Sequence, residues 1–492
     1  MTALRSTIAR LAPPGSLRAR FARGSAWSLA GQLVAYVLGV VSSALVGRAL
    51  GVDGYGELGM IQSTVGMFGL FAGMGLGVTN TKHVAELRNN DPARAGRIMG
   101  LSLLVSVVSG VAIVALLVLL APLLAARTLE NASLTLPLRI ASALLLLEAV
   151  IGALSGALAG FEAFRAIAVS TALRVIATFP LIVLGASFYG LPGAAAGLAL
   201  GAVAGLAINA AALARVCRRN ACPVLFRGLR GEIPVLTSFS IPAYVSGVMV
   251  TPMIWIARII LVRYLGYPEG YEQMGLFSAA WRFQDIITLL GSTVGAALLP
   301  LLASREGAES SRLASGNMLV SWSLGFFLLA PLMVYPEVVG LVFGGDFAGR
   351  DLNVTMVLAM YVTNIILYKQ GLARVLTARA LLWWGVLSNS VWAATLLLCA
   401  WWLGRYGAVG LAGAFLIAYI VNVAVFIPLY TGKKLVPRST IVSWEAAVIW
   451  LLLVALSAAS LLQWPWAWRG ALLAACLAAG AAVFFRLARG VR

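Results

Sequence analysis

Residues 101–120 read LSLLVSVVSGVAIVALLVLL, a stretch without a single charge. A helix rises about 1.5 Å per residue, so such a run spans about 30 Å, the thickness of a bilayer's hydrocarbon core. Similar apolar runs recur along the chain, residues 451–462 among them. Backbone groups in lipid must bond internally, and these Leu-, Ala- and Gly-rich runs lack the two-residue alternation of a barrel, which leaves helices. Composition agrees: 61% of the 492 residues are hydrophobic and 11% are charged, against about 25% charged in a soluble domain. The expected fold is an all-α polytopic membrane protein of about fourteen transmembrane helices.

The spans read as 25–50, 55–78, 98–122, 138–159, 168–190 and 193–215, then 236–263, 274–300, 314–343, 352–371, 381–403 and 407–430, then 443–463 and 467–486. This gives a basic tail (1–24), an N-lobe of six helices (25–215), a linker (216–235), a C-lobe of six (236–430) and a C-terminal hairpin (443–486). The connecting loops are too short for a soluble domain. Residues 25–50 follow a basic stretch but are too long for a signal-peptide core, so they read as a retained first helix.

The formal charge of +19 invites a nucleic-acid reading, but its placement argues against one. Of 36 lysines and arginines, 26 fall in the tails and in every second loop. These are Arg5 to Arg23, Lys82 to Arg97, Arg165, Arg215 to Arg230, Arg305 and Arg312, Lys369 to Arg379, Lys433 to Arg438, and Arg486 to Arg492. The intervening loops hold only Arg48, Arg127, Arg139, Arg263, Arg350, Arg405 and Arg469. By the positive-inside rule both termini of a bacterial inner-membrane protein then lie in the cytoplasm, and the basic tail lies on anionic headgroups. No nucleic-acid partner is expected.

Four cysteines (Cys217, Cys222, Cys399, Cys476) form neither a disulfide framework nor a zinc pattern, so no metal is expected, and no cofactor either. Gly73-Met-Gly75-Leu-Gly77 has the spacing of a nucleotide loop but follows a membrane helix rather than a strand. Gly197, Gly201 and Gly205 share one helix face, where a neighbouring helix can approach closely.

An internal repeat is visible. Arg48-Ala-Leu-Gly51-Val-Asp53-Gly54-Tyr55-Gly-Glu57-Leu-Gly59 joins the first two spans; Arg263-Tyr-Leu-Gly266-Tyr-Pro-Glu269-Gly270-Tyr271-Glu272-Gln-Met-Gly275 joins the seventh and eighth. Six helices per unit keep both units in one orientation, so the lobes are expected to be related by a pseudo-two-fold axis along the membrane normal, with the substrate path between them.

The run from Arg48 through Gly51, Gly54, Tyr55 and Gly56, then Phe71, Met74, Gly75 and Gly77, then Lys82-His83-Val-Ala-Glu86-Leu-Arg88 with Asp91, resembles the start of O-antigen-type polysaccharide-biosynthesis flippases. These belong to the multidrug/oligosaccharidyl-lipid/polysaccharide exporter superfamily, and the resemblance covers residues 25–430. It implies movement of an undecaprenyl-diphosphate-linked oligosaccharide between leaflets by alternating access of two rocking lobes. The implied partners are that lipid-linked oligosaccharide, membrane lipids and polysaccharide polymerase machinery; the setting is lipopolysaccharide or other surface-glycan synthesis. The last hairpin resembles the extra pair of fourteen-helix members.

Ionisable groups within spans are the candidate functional residues, each costing about 2.5–3.5 kcal/mol at mid-helix on the insertion scale. They are Glu148, Arg174, Arg258, Arg282 and Asp285, with Glu57 nearer the mouth of the second span. Arg282 falls about 12 Å and Asp285 about 16 Å from the outer end of the eighth span. Their i, i+3 spacing lets them pair. Aligning Gly59 with Gly275 sets Gly66 against Arg282, Gly69 against Asp285 and Ser43 against Arg258, so the charges exist in one lobe only. A guanidinium is the natural bidentate partner of a diphosphate, and the resemblance implies a cavity arginine at Arg282. The plainer reading is a structural ion pair. Arg258 and Arg174 are substrate-binding candidates or snorkelling side chains; Glu148 is a coupling carboxylate or a protonated packing residue, and Glu57 a second coupling candidate. Arg48, Asp53, Arg263, Glu269 and Glu272 sit at the outer turns, where opposite charges are expected to pair as a gate.

An enzyme is not expected. A polyprenyl-linked glycosyltransferase or polymerase needs a sizeable outer loop, and residues 127–137 and 343–351 are too short; an acyltransferase needs a membrane-depth histidine, and the one histidine, His83, lies in a basic loop. Within transport, the alternatives are a cation-coupled drug exporter, which favours acidic cavities, and a lipid-II flippase.

Overall fold

The computed structural model describes residues 17–236, 248–296, 322–378, 382–433 and 443–491. Of the basic positions named above, Arg5, Arg10, Arg305, Arg312, Arg379, Lys434, Arg438 and Arg492 lie outside the described residues. Within them the chain is all-helical, and eight continuous helices, or nine if one bent pair counts as a single span, are long and apolar enough to cross a membrane.

Helix α1 (Leu17–Gly73) runs for 57 residues. Straight, it would measure about 85 Å, far more than one bilayer crossing. It folds into two spans at Gly51, where φ is 75° and ψ 177°. The short α2 (Leu76–Leu87) extends it beyond a break at Met74 and Gly75, both at positive φ. Then come α3 (Pro92–Leu123) and α4 (Thr135–Gly160). Helix α5 (Phe164–Arg219) is again two spans, folded at Gly190 with φ 58° and ψ −141°.

The second half follows with α6 (Val250–Leu265), α7 (Glu269–Ala296), α8 (Trp322–Val334), α9 (Glu337–Phe343) and α10 (Arg350–Ala378). It ends with α11 (Leu382–Leu403), α12 (Gly407–Gly432), α13 (Trp444–Leu461) and α14 (Trp466–Val491). The repeat is deeper here than in the sequence. Gly266, between α6 and α7, has φ 74° and ψ −176°, nearly the angles of Gly51. Gly407, between α11 and α12, has φ 62° and ψ −139°, nearly those of Gly190. This region of backbone space is essentially closed to side-chain-bearing residues. The second pair has its own motif, Tyr189-Gly190-Leu-Pro-Gly193 and Tyr406-Gly407-Ala-Val-Gly410. A Cβ on Gly193 would fall on the carbonyl of Gly185, and one on Gly410 on that of Leu403, so both glycines admit the preceding helix.

One span differs from expectation. Residues 314–343 read as a continuous helix, but α8 and α9 meet at Tyr335–Pro336 with a bend of 77°. Proline lacks the N–H that would continue the ladder and crowds the preceding turn. Arg469, 3% exposed, fastens the break: it donates to Glu337 Oε1 at 2.7 Å, to the Trp464 carbonyl at 2.7 Å and to the Val334 carbonyl at 3.4 Å.

The chain forms two compact units. The first comprises Met1–Ser42, Thr64–Pro122 and Thr135–Gly247; the second comprises Ser43–Ser63, Leu123–Leu134 and Val248–Arg492. In the first, Val84, Met99, Leu158 and Leu213 centre an apolar core near one end of the bundle. The expected glycine face is used: a Cβ on Gly197, Gly201 or Gly205 would meet Leu181, Thr178 or Arg174 of the opposing arm of α5. Elsewhere large apolar side chains point outward, Leu119 at 77% and Leu398 at 73% exposure, which water would penalise and lipid accepts. Trp383, Trp401, Trp402, Trp464, Trp466 and Trp468 are exposed at helix ends, as interfacial anchors are.

Candidate functional site

The second unit brings together Arg258 on α6 with Arg282 and Asp285 on α7. Asp285 interacts electrostatically with both arginines. The Arg258 guanidinium lies 5.7 Å from the Phe277 ring centroid, and that ring stacks on Trp281 at 4.3 Å. Arg258 is held over an aromatic face inside the unit. Tyr55 hydrogen-bonds Ser43 and feels the charges of Arg282 and Asp285, so the position aligned with Arg258 in the first half lies beside this cluster. Both arginines are half-buried and Asp285 is exposed. Among the described residues, the buried Nε of Arg258 and the buried Nε of Arg282 have no hydrogen-bond acceptor. Two guanidiniums against one carboxylate leave a net positive charge with unused donors, the chemistry that receives an anion.

A third half-buried cation lies deeper than its place in the sequence suggests. Lys369, counted among the loop residues, stands well inside α10, which continues to Ala378. Its Nζ donates to Asn422 Oδ1 at 2.5 Å and sits 5.3 Å from the Tyr419 ring centroid. Asn422 is itself 1% exposed and bonded to Ser388. From Tyr419 the rings continue through Trp392 and Phe415 to Trp281 and Phe277, beneath Arg258. A charge that closes an apolar run, as Lys369 does, looks in the sequence like the first residue of a loop.

The outer turns also pack within the second unit, with partners other than those expected. Arg48 donates to the carbonyls of Leu341 at 2.8 Å and Val342 at 3.0 Å. Arg263 pairs with Glu130 at 3.2 Å, not with Asp53 or Glu57. Glu57 accepts from Asn131 at 2.6 Å and feels the charge of Asp53. Tyr271 donates to the Leu129 carbonyl at 2.6 Å. Both arginines therefore do cross from one sequence half to the other. Glu269 and Glu272 occupy the first turn of α7, where carboxylates complement the helix dipole. The repeated glycines bring the two turns into backbone contact: a Cβ on Gly56 would fall on the Tyr271 carbonyl, and one on Gly275 on the Val52 carbonyl.

In the first unit Arg174 grips Glu148 with both terminal nitrogens, Nη1 to Oε2 at 3.1 Å and Nη2 to Oε1. Its stem rests on the notch at Gly205. Arg174 and Glu148, read separately in the sequence, form a bidentate pair joining α4 to α5. His83, outside the spans, lies 3.4 Å from Glu86, and burial pushes its imidazole below the usual histidine range, with the Glu86 charge opposing. Cys217, at the end of α5, and Cys222, in the linker, are buried free thiols. Among the described residues no group of histidine, cysteine and carboxylate side chains has metal-binding geometry.

Comparison with known proteins places this architecture. The family described as polysaccharide biosynthesis protein matches residues 21–306. Among solved structures, the chain is similar to the lipid II flippase MurJ in an inward closed conformation, at 13% identity and a TM-score of 0.68, over 94% of this chain and 97% of that one. It is also similar to an inward-facing multidrug resistance MATE family transporter of the MOP superfamily, at 16% identity and a TM-score of 0.59, over 83% of this chain and 99% of that one. A MOP superfamily transporter from Pyrococcus furiosus matches at 16% identity and a TM-score of 0.56, over 86% of this chain and 96% of that one. No curated protein matches the sequence. At these identities the structures show a shared fold alone, a multi-pass helical architecture.

Proposed function

Because the chain belongs to the polysaccharide biosynthesis protein family, we propose that it is a flippase that carries a polyprenyl-diphosphate-linked oligosaccharide across the bacterial inner membrane for surface polysaccharide synthesis of the O-antigen type. The observation that carries this reading is the cluster of Arg258, Arg282 and Asp285, charged in one sequence half only and holding two buried guanidinium Nε donors without acceptors among the described residues. A diphosphate supplies the negative charge and oxygen acceptors that such donors lack. Asp285 orients the guanidiniums and keeps the site from holding its anion too tightly for release.

Both termini lie in the cytoplasm on this reading, and the lobes, residues 25–215 and 236–430, rock to alternate access. The outer turns form the outer gate: Arg48 on the carbonyls of α9, Arg263 on Glu130, Glu57 on Asn131, with Asp53, Glu269 and Glu272 around them. The Arg174–Glu148 pair is the coupling element on this reading, because it ties α4 to α5 through two opposite charges. Polymerase machinery would receive the exported glycan. A lipid-II flippase is the second reading, supported by the coverage of the MurJ fold. A cation-coupled drug exporter is less well served by a cluster with excess positive charge.

Export of surface glycan in cells tests the assignment. Arg282→Ala is expected to abolish it at normal membrane abundance, and Arg282→Lys to restore part, because lysine keeps the charge and loses the bidentate fork. Asp285→Asn is expected to be milder. Normal export by Arg282→Ala removes the substrate role; loss of abundance in both Arg282→Ala and Asp285→Asn indicates a purely structural pair.

A further inference from the structure

The linker that follows α5 is folded as a roof over the first unit. The Leu225 amide donates to the Gly96 carbonyl at 3.0 Å, and Cys222 Sγ to the Pro92 carbonyl at 3.3 Å. The linker backbone at Pro223 and Leu225 lies so close to α3 that a Cβ on Gly96 or Gly100 would fall on its carbonyls. At its far end Arg94 and Arg97 both bind Glu232, at 3.1 and 3.2 Å, and that carboxylate is 4% exposed. The roof is tied to α3 at both ends.

Beneath it is a recess of about 490 Å³, walled by Leu103 of α3, Pro223, Val224 and Phe226 of the roof, and Ala214 and Arg218 of α5. Arg218 is the one charged residue of its lining. The recess is continuous with an outward strip on α5: Leu200, Val203, Ala207, Ala210 and Ala214 are all exposed, at spacings of three and four. The opposite face carries Gly197, Gly201 and Gly205 and is packed on the other arm of the helix. From Val203 to Arg218 is about 22 Å along the axis, the scale of one lipid leaflet. Arg218 ends the strip, and Arg215, Arg219, Arg227 and Arg230 stand exposed nearby in sequence. None of these five has an ion-pair partner among the described residues. This is the end of the bundle that the charge bias assigns to the cytoplasm.

We propose that this recess is a binding site for one anionic phospholipid, its acyl chain along the strip and under the roof, its phosphate on Arg218. An apolar slot of this size, within the range of small-ligand pockets, selects a hydrocarbon chain. A lone cation at its mouth selects a negatively charged head, and clustered unpaired arginines at the cytoplasmic face raise the local concentration of anionic lipid. The tied roof makes the slot part of the fold, so the lipid is held instead of exchanging with the annulus. The site does not depend on the proposed transport function.

Delipidated protein in detergent, titrated with phosphatidylglycerol or phosphatidylcholine and weighed intact by native mass spectrometry, tests the proposal. The wild type is expected to retain one phosphatidylglycerol at least tenfold better than phosphatidylcholine. Arg218→Gln is expected to abolish the preference, and Ala214→Phe, which fills the slot, to abolish retention of both. Neither position is buried, so both variants are expected to unfold at the wild-type temperature. Equal retention of the two lipids by the wild type overturns the proposal. So does unchanged retention in both variants, or a polyprenyl phosphate displacing phosphatidylglycerol at equal concentration.

Discussion

Gly275→Ala isolates the contact between the two outer turns. A Cβ there would fall on the Val52 carbonyl oxygen, with Val52 C at 2.9 Å and Cγ2 at 3.0 Å. The obstacle is backbone, which cannot swing aside as a flexible side chain does. Overpacking of this kind costs about 1–3 kcal/mol, and each 1.4 kcal/mol is a factor of about ten. The packed arrangement of the turns should therefore lose about 5- to 150-fold against any arrangement in which they separate. Ser278 is a suitable reporter, because its hydroxyl would be 2.6 Å from a Cβ on Gly59 in the same contact. With the four native cysteines replaced, Ser278→Cys is expected to react slowly with an impermeant maleimide. Adding Gly275→Ala should raise that rate by the stated factor. Gly66→Ala, which meets nothing within 4 Å, should leave it unchanged. Equal labelling with and without Gly275→Ala, at equal membrane abundance, would refute the claim that glycine contact holds these turns together.

Other outcomes follow from single contacts. Arg469→Ala strands Glu337 and the Val334 carbonyl at the α8–α9 break and the Trp464 carbonyl before α14, and its cost of about 3–5 kcal/mol should appear as a lowered unfolding temperature in detergent. In intact cells a cysteine at Glu269 should label from outside and one at Gly228 should not, and labelling at Gly228 would overturn the assigned orientation.

The spans were legible because lipid imposes one requirement along the whole chain, and apolar runs of about twenty residues satisfy it. The turn at Gly51 and Gly266 was legible because a backbone angle that only glycine accepts leaves a mark in the sequence. The equivalent mark at Gly190 and Gly407 went unread, since alanine and glycine crowd around it and only Tyr, Gly and Gly recur. Contacts between distant segments left no local trace: nothing near Arg263 points to Glu130, and nothing near Arg174 points to Glu148. Lys369 was misread because a cation closing an apolar run resembles a loop residue until α10 is seen to continue past it. The α8–α9 bend was marked by Pro336, but hydropathy averages across a proline.

Translocation by the purified protein tests the central claim most directly. Proteoliposomes carrying a fluorescent polyprenyl-diphosphate oligosaccharide, with external quencher reporting the outer leaflet, compare the wild type with the Arg282→Gly, Asp285→Gly double variant. That variant gives both positions the residues that Gly66 and Gly69 hold in the first half, leaves Arg258 as the one charge of the cluster, and adds about 1 kcal/mol of helix cost per glycine. The account predicts a stably inserted protein that no longer moves the lipid. A stable double variant that moves it at the wild-type rate would contradict the account.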